Sequence, residues 1–247
     1  MYFFEELKEL RKFIIACLAV FISFTALFFL FPLQKSFSMH FLEQIKNDLV
    51  PAGVSLITTN PMDAFMSQIM VSFFLALAIS SPFFLYRTIK YLTPALYEKE
   101  SRAIFKILVP SSVLFLLGCA FGYFLLIPST FKILYSFSLT MGVQSFFGIK
   151  DFITTVLVFM MVSGVLFLLP VFMVLLSRFG LIEAGFWRKN WRNAAFSIAV
   201  FSAIITPDGT GITMILLFLP LIALYFLGSL GNKKYAKVAK IKNINNL

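Results

Sequence analysis

The side chain best suited to chemistry in this sequence is the carboxylate of Glu100. Glu98 stands four residues before Arg102, and on a helix that spacing lets the two side chains pair. Glu100 has no oppositely charged residue three or four positions away, and Tyr97 is one of its helical neighbours. An unpaired carboxylate beside an aromatic ring is suited to receiving a cationic group. The alternative from the residues alone is a solvated loop acid that pairs with Lys99.

The helix that would carry Glu100 begins with a capping pattern. Thr93 precedes Pro94, and proline is favoured at the first helical position because its missing N–H is not needed there. This pattern lies in the polar stretch 80–102, which links two apolar runs. We therefore expect a short helix that starts at Pro94 and presents Glu100.

Patterns for catalysis and for metal binding are absent from the sequence. It has no phosphate-binding loop, no Gly-x-Ser-x-Gly and no His-Glu-x-x-His, and a single histidine, His40, cannot build a metal site alone. Cys17 and Cys119 fall inside apolar runs and behave as small hydrophobic residues. Asp208 lacks the following lysine of an aspartyl-phosphate motif, so we interpret it as part of a turn. The sequence predicts no enzyme, no metal and no cofactor.

The composition indicates a membrane protein. Of the 247 residues, 60% are hydrophobic and 13% charged, and 33 are Phe, which is not the composition of a soluble domain. Apolar runs of about 20 residues match the roughly 30 Å hydrocarbon layer of a bilayer. The net charge of +10 lies in short segments that flank these runs, so we expect no nucleic-acid partner. We predict an all-α integral membrane protein with one domain over residues 1–247.

Six apolar runs predict six transmembrane helices. They cover about residues 13–31, 64–85, 107–127, 152–176, 194–205 and 212–230, and they leave 231–247 as a basic cytoplasmic tail. Spans five and six are short, and span five has too few residues to cross an average bilayer without local thinning. Pro110 and Pro170 should bend their helices and produce a curved wall. Gly118 and Gly122, four residues apart, predict close helix packing.

The distribution of cations predicts the orientation in the membrane. Most of the 21 Lys and Arg residues lie in the N-terminal segment, the links after spans two and four, and the tail. The opposite links hold only Lys35, Lys46, Lys132 and Lys150. Cytoplasmic segments carry the excess of Lys and Arg, so we expect the N- and C-termini and the region from Pro82 to Arg102 to face the cytoplasm.

Several short motifs occur in a characteristic order along the chain. They are Glu9-Leu10-Arg11-Lys12, Ser81-Pro82, Pro94-Ala95-Leu96-Tyr97 with Glu100, Phe121-Gly122-Tyr123-Phe124, Pro170-Val171 and Thr206-Pro207-Asp208. With these motifs the sequence resembles the TatC family of twin-arginine translocase receptors over about residues 5–230. The resemblance implies six helices in a concave, glove-like bundle whose cytoplasmic face receives the twin-arginine signal peptides of folded precursors.

The resemblance also implies a signal-peptide site. Glu9 and Glu100 match the acidic receptor positions of the family, and a carboxylate accepts two parallel, charge-assisted hydrogen bonds from a guanidinium group. The positions that shape this site are matched by Arg11, Pro82, Tyr91, Pro94 and Tyr97. Tyr91 replaces a phenylalanine of relatives and can stack on an arginine. For the prolines the alternative role is packing at helix ends, and Glu9 has an alternative partner in Lys12.

The chain departs from the family pattern at two intramembrane positions. Leu168 and Phe226 stand where the family commonly carries glutamates in spans four and six, so the roles of those acids cannot be transferred. Either partner subunits supply polar contacts inside the membrane, or a weaker version comes from polar residues of this chain. The candidates are Gln68, Thr154, Thr155 and Ser163.

The implied function is that of a non-enzymatic core receptor of the twin-arginine translocase in a bacterial or archaeal cytoplasmic membrane. By resemblance it would assemble with TatA- and TatB-type single-span subunits and with further copies of itself, and export would draw on the proton-motive force. The alternative is a small-solute secondary transporter. It is disfavoured because no ionisable residue lies in the middle of a predicted span and the two halves do not align. A membrane scaffold without cargo is the third hypothesis.

Overall fold

A computed structural model describes residues 2–31, 36–50, 55–92, 101–142, 146–178, 182–183, 185–206 and 211–244. The helices are α1 (Tyr2–Leu30), α2 (Phe37–Leu49), α3 (Asp63–Leu92), α4 (Ser101–Phe121), α5 (Ile127–Thr140), α6 (Ile149–Phe167), α7 (Leu169–Arg178), α8 (Phe186–Lys189), α9 (Trp191–Ile205) and α10 (Ile212–Ile244). A π-helical turn, Gly122–Leu126, joins α4 to α5. Two short strands, β1 (Ser55–Ile57) and β2 (Phe146–Gly148), pair in parallel. The predicted all-α class is confirmed.

Within the described residues, five helical stretches are long and apolar enough to cross a membrane. They are Leu10–Leu30, Asp63–Thr88, Leu108–Ser138, Ile149–Ser177 and Ile212–Gly231. The protein is therefore a multi-pass membrane protein, as predicted. The apolar helix α9 has 15 residues and is about 22 Å long, shorter than an average span. Six spans and cytoplasmic termini stay predictions.

The pairing of α1 with α3 fixes the two ends of the bundle. Phe29 contacts Phe65 with 5.8 Å between ring centroids, while Phe21 lies between Phe73 at 5.7 Å and Phe84 at 6.5 Å. The two helices therefore run antiparallel. We call the end that holds β1, β2 and α2 the sheet end, and the end that holds the start of α1 and the end of α3 the rim end.

The start of α4 also lies at the rim end. The β2 strand leads directly into α6, so α6 starts at the sheet end. Phe131 of α5 stacks on Phe152 early in α6 with 5.0 Å between ring centroids, whereas Gly118 of α4 packs against Ser163 and Gly164 late in α6. The α4–α5 stretch is thus antiparallel to α6, and its first residue, Ser101, is at the rim end.

Small residues bring the backbones of α4 and α6 close together. A Cβ atom added to Gly118 would lie 2.6 Å from the carbonyl oxygen of Ser163 and 2.8 Å from the Cα of Gly164. A Cβ atom on Gly122 would lie 3.1 Å from the Cα of Met160. The predicted close packing at Gly118 and Gly122 is confirmed, since a Cβ would clash at Gly118 and would make an unusually tight contact at Gly122.

A break at Leu168 divides the fourth span into α6 and α7. The N–H of Leu168 donates to the carbonyl of Val165 at 3.1 Å, which is a tighter turn than that of an α-helix. Pro170 has no N–H to donate to the carbonyl of Leu166, and its side chain is buried. The fourth span is thus interrupted next to Pro170, while α4 continues through Pro110 as one helix, and the predicted bends at the two prolines stay predictions.

The helix α2 covers the sheet end and is fixed to two neighbours. Gln68 of α3 donates through Nε2 to Ser36 Oγ at 2.9 Å, and Ser36 is the N-cap of α2. The hydroxyl of Tyr123, in the π-helical turn, donates to the Asp48 carboxylate at 2.6 Å. These two contacts tie the connection between the first two spans to α3 and to the third span.

Candidate functional site

The α1–α3 pair carries several of the predicted site positions to the rim end. Phe21 lies between Phe73 and Phe84, and helices rise 1.5 Å per residue. Glu9 is therefore about 18 Å along α1 from Phe21, and Tyr91 is about 19 Å along α3 from the midpoint of the two phenylalanines. The backbones at Glu9 and Tyr91 thus lie at a similar height. Their side chains are outside the described part of the structure.

Arg11 is the predicted site residue whose side chain is described on α1. It is exposed, as is its neighbour Lys12, and the uninterrupted apolar stretch of the helix begins directly after them at Phe13. Because α1 is a single helix from Tyr2 to Leu30, the charged segment and the span form one rigid element. The packing of α1 on α3 therefore also sets the position of the charged segment around Arg11.

Pro82 lies inside α3, where a neighbouring serine supplies a hydrogen bond in place of the one that the proline cannot donate. A proline at this position leaves the carbonyl of Ala78 without its usual N–H donor. The hydroxyl of Ser81 donates to that carbonyl at 2.8 Å. The helix extends to Leu92, beyond the end at about residue 85 expected for the span, and Pro82 itself is half-buried.

Arg87 is a rim cation that the sequence analysis did not single out. Its guanidinium carbon lies 5.4 Å from the centroid of the Phe83 ring, and the side chain is half-buried. An aromatic residue four positions before an arginine on one helix is the sequence signal that could have found this pair. Arg87 adds a fixed positive charge near the end of α3.

Three of the predicted site residues lie outside the described residues. They are Pro94, Tyr97 and Glu100. The chain resumes at Ser101, the first residue of α4, immediately after Glu100. The structure brings the start of α1, the end of α3 and the start of α4 to one end of the bundle. The contacts of the two predicted receptor acids, and the short helix expected from Pro94, stay predictions.

The two positions where the family commonly carries intramembrane glutamates hold apolar side chains in different surroundings. Leu168 is buried at the break between α6 and α7. Phe226 is 45% exposed, and its ring centroid lies 6.1 Å from that of Trp191. No carboxylate therefore enters the bundle at either position.

Most of the polar residues considered as substitutes already have partners. Gln68 donates to Ser36, and the hydroxyls of Thr154 and Thr155 donate to the carbonyls of Lys150 and Asp151 in their own helix. The buried hydroxyl of Ser163, by contrast, has no hydrogen-bond partner within the described residues. Of the four candidates, Ser163 is the one left with an unused polar group.

The described residues contain no group of three or more His, Cys, Asp or Glu side chains that could hold a metal ion. What the rim end offers instead is a set of charged and aromatic positions at the ends of three apolar helices. This arrangement is suited to binding a charged, extended ligand at a membrane surface.

Comparisons with known proteins agree along most of the chain. The family model described as Sec-independent protein translocase protein (TatC) matches residues 5–220. A TatC of Cenarchaeum symbiosum is 37% identical over 186 residues, which are 75% of this chain and 70% of the relative. A TatC of Aquifex aeolicus is 31% identical over 241 residues, covering 93% of this chain and 95% of the relative. A chloroplastic relative from Pisum sativum is 30% identical over 230 residues, which are 93% of this chain and 63% of the relative.

Solved structures give the same result for the fold. Two crystal structures of the twin-arginine translocase receptor TatC, one of them in DDM, match with TM-scores of 0.74 and 0.77. Each is 27% identical to this chain and covers 92% of it, and this chain covers 98% and 99% of the respective structures. The similarity therefore includes the whole helical bundle.

Proposed function

Because the chain belongs to the TatC family of Sec-independent protein translocases, we propose that it is a receptor subunit that binds twin-arginine signal peptides at its rim end. The observation that carries the proposal is the convergence of the start of α1, the end of α3 and the start of α4 at that end. Glu9, Arg11 and Tyr91 belong to these segments, and Pro82 lies further inside α3. Pro94, Tyr97 and Glu100 belong to the sequence that links the end of α3 to the start of α4.

The chemistry of the proposed site rests on Glu9 and Glu100. Each carboxylate would accept two parallel hydrogen bonds from one guanidinium group, a geometry that the point charge of a lysine cannot reproduce. Tyr91 would stack on a guanidinium face.

The apolar part of the signal peptide would lie along α1. Ile14, Leu18 and Ile22 are spaced four residues apart and are 45%, 52% and 62% exposed, so they form a stripe that the rest of the chain leaves uncovered. The stripe continues the same rigid helix that carries Glu9 and Arg11. A ligand bound by its arginines at the rim would therefore reach this stripe without a change of direction.

The further steps of transport would require other subunits. We propose that TatA- and TatB-type single-span subunits and further copies of this chain assemble around the loaded receptor, and that the proton-motive force drives export. Nothing in the described residues favours a solute path, and family membership argues against the small-solute secondary transporter.

Signal-peptide binding tests the proposal directly. The purified full chain in detergent is titrated with a fluorescent signal peptide that carries Arg-Arg, and with the same peptide carrying Lys-Lys. We expect Glu100→Gln to weaken Arg-Arg binding roughly 10- to 100-fold, because a hydrogen bond to a charged group contributes about 1.5–3 kcal/mol. Glu9→Gln should have a similar effect.

Glu183→Gln is the matched control, since Glu183 is an exposed acid in the link that follows α7 at the same end. It should leave the affinity unchanged within about twofold, because exposed charges away from the site contribute little. Equal affinities for both peptides and all variants would eliminate the receptor site.

A further inference from the structure

A cleft of about 420 Å³ opens at the rim end between the segment that begins α9 and the end of the last span. One wall consists of Trp187, Arg188 and Trp191, and the other of Tyr225, Phe226 and Ser229. We call it the tryptophan cleft. Its volume is within the range of sites that bind small molecules.

The inner wall of the tryptophan cleft is held by two hydrogen bonds. The indole N–H of Trp187 donates to Ser177 Oγ at 2.8 Å, and the hydroxyl of Tyr225 donates to the Trp187 carbonyl at 2.6 Å. Nearby, a Cβ atom on Gly228 would lie 2.9 Å from the Cα of Pro170, so α10 and α7 are in close contact. The cleft is therefore formed before any ligand enters.

The lip of the cleft is apolar and open. Trp191, Phe226 and Leu230 are 42%, 45% and 53% exposed. The rings of Trp191 and Phe226 are 6.1 Å apart at their centroids. Within the described residues the indole N–H of Trp191 donates to no acceptor. The lip thus combines apolar surface with an unused hydrogen-bond donor.

The surroundings of the cleft are strongly cationic. Arg188, Lys189 and Arg192 are all exposed, and the guanidinium carbon of Arg192 lies 5.7 Å from the Trp191 ring centroid. No described carboxylate forms a salt bridge with any of the three. The sequence after the cleft, residues 233–242, adds five lysines. A ligand for this site should therefore carry negative charge.

The position of the cleft indicates which kind of molecule supplies the negative charge of the ligand. The apolar stretch of α10 ends at Gly231 and α9 begins at Trp191, so the cleft lies at the level where the spans leave the hydrocarbon. Tryptophan and arginine are typical of this headgroup level. A phospholipid presents a phosphate at this depth together with acyl chains that extend along apolar helix surfaces.

We propose that the tryptophan cleft binds an anionic glycerophospholipid of the leaflet at the rim end. Its phosphate would contact Arg188, Arg192 and the indole N–H of Trp191, and its acyl chains would descend along Phe226 and Leu230. The bound lipid would then bridge the first turn of the short helix α9 to α10.

Intrinsic fluorescence tests the proposal at the site itself. The chain has two tryptophans, Trp187 and Trp191, and both line the cleft. The full chain is reconstituted in phosphatidylcholine vesicles that contain equal fractions of either acyl-brominated phosphatidylglycerol or acyl-brominated phosphatidylcholine. Bromine quenches an indole that it contacts. We expect the brominated phosphatidylglycerol to bind roughly 25-fold more tightly, at about fivefold for each of two cations near the surface.

Variants distinguish a specific lipid-binding site from general electrostatic attraction of anionic lipid to a basic surface. The double variant Arg188→Gln/Arg192→Gln should remove the preference for phosphatidylglycerol. Arg87→Gln, which removes an arginine stacked on an aromatic ring at the same end but outside the cleft, should keep it. An equal loss of preference in Arg87→Gln, or equal quenching by both brominated lipids in the unmodified chain, overturns the proposal.

Ser229→Leu provides a second test that keeps every charge. The larger side chain fills the cleft, so it should lower quenching by phosphatidylglycerol about as much as the double glutamine variant. Unchanged quenching in Ser229→Leu would show that the lipid lies elsewhere. Inorganic phosphate added to these vesicles should not relieve the quenching by brominated phosphatidylglycerol. Relief of quenching would indicate a site for a free anion.

Discussion

The helix α1 and the α6–α7 stretch are both apolar enough to span a membrane, yet the rest of the chain covers them very differently. In the most apolar part of the first span 6% of the residues are buried, compared with 50% in the fourth. α6 is packed against α3, α4 and the π-helical turn, whereas α1 contacts mainly α3. The bundle therefore has a packed scaffold around α6 and an open flank at α1.

From this difference we expect the packed scaffold to determine stability and the open flank to determine ligand binding. The scaffold depends on glycines that bring backbones together and on fully buried side chains such as Phe152 and Ile153. The flank carries the exposed Arg11 and a stripe of exposed apolar residues, and a ligand can reach both. Substitutions in the scaffold should therefore unfold the protein, while substitutions on the flank should alter binding alone.

The largest effect is expected for Gly118→Leu in the scaffold. Its Cβ would lie 2.6 Å from the Ser163 carbonyl oxygen, and two backbones cannot move apart without disturbing the rest of the interface. We expect a loss of about 3 kcal/mol in the free energy of unfolding, measured by thermal unfolding in detergent. Gly231→Ala, whose Cβ would meet Val174 Cγ2 at an ordinary 3.7 Å, is the control and should be neutral.

Leu157→Ala should have the next largest effect. Leu157 is 7% exposed within α6, so truncation leaves a cavity in the scaffold. We expect a loss of about 2 kcal/mol, at the lower end for buried leucines because lipid also solvates apolar surface in the unfolded state. The same unfolding measurement applies. A change below about 0.5 kcal/mol, which is typical of surface substitutions, would mean that α6 is not the packed element.

Tyr123→Phe tests the contact that holds α2 over the scaffold. It removes the 2.6 Å hydrogen bond to the Asp48 carboxylate. The acid is partly in water, so we expect a loss of about 1 kcal/mol in the free energy of unfolding. Asp48→Asn keeps an acceptor oxygen and should cost less. If both variants unfold like the unmodified chain, α2 is held by its contacts with α3 instead.

The smallest effect on stability is expected for Leu18→Ala on the flank. Leu18 is 52% exposed, so its truncation should change the free energy of unfolding by less than about 0.5 kcal/mol. It is the same substitution as Leu157→Ala, which makes the two a matched pair. If the signal peptide lies along α1, Leu18→Ala should still weaken its binding several-fold in the fluorescence titration. A destabilisation equal to that of Leu157→Ala would contradict the contrast between the two regions.

The sequence allowed the membrane class, the approximate helices and the family to be predicted. It also indicated the disturbance at Pro170 and the close approach at Gly118. These features depend on residues near one another in the chain, since the length of an apolar run, a missing N–H or a missing side chain acts locally. The family motifs named the candidate acids Glu9 and Glu100, whose contacts stay a prediction.

Other features required the tertiary structure. The hydrogen bond from Ser81 to the Ala78 carbonyl, and the stacking of Arg87 on Phe83, depend on side-chain rotamers that the sequence does not specify. The hydrogen bond from Tyr123 to Asp48 joins residues far apart in sequence. No local pattern predicts such contacts.

The sequence by itself determined that this protein is a helical membrane protein of the TatC family, because hydropathy and motif order are properties of consecutive residues. Only the tertiary structure decided which helix is packed on many sides, which is left open, and that both tryptophans meet α10 around one cleft. Those outcomes depend on how side chains from separate spans pack together, and no single segment of the sequence specifies that packing.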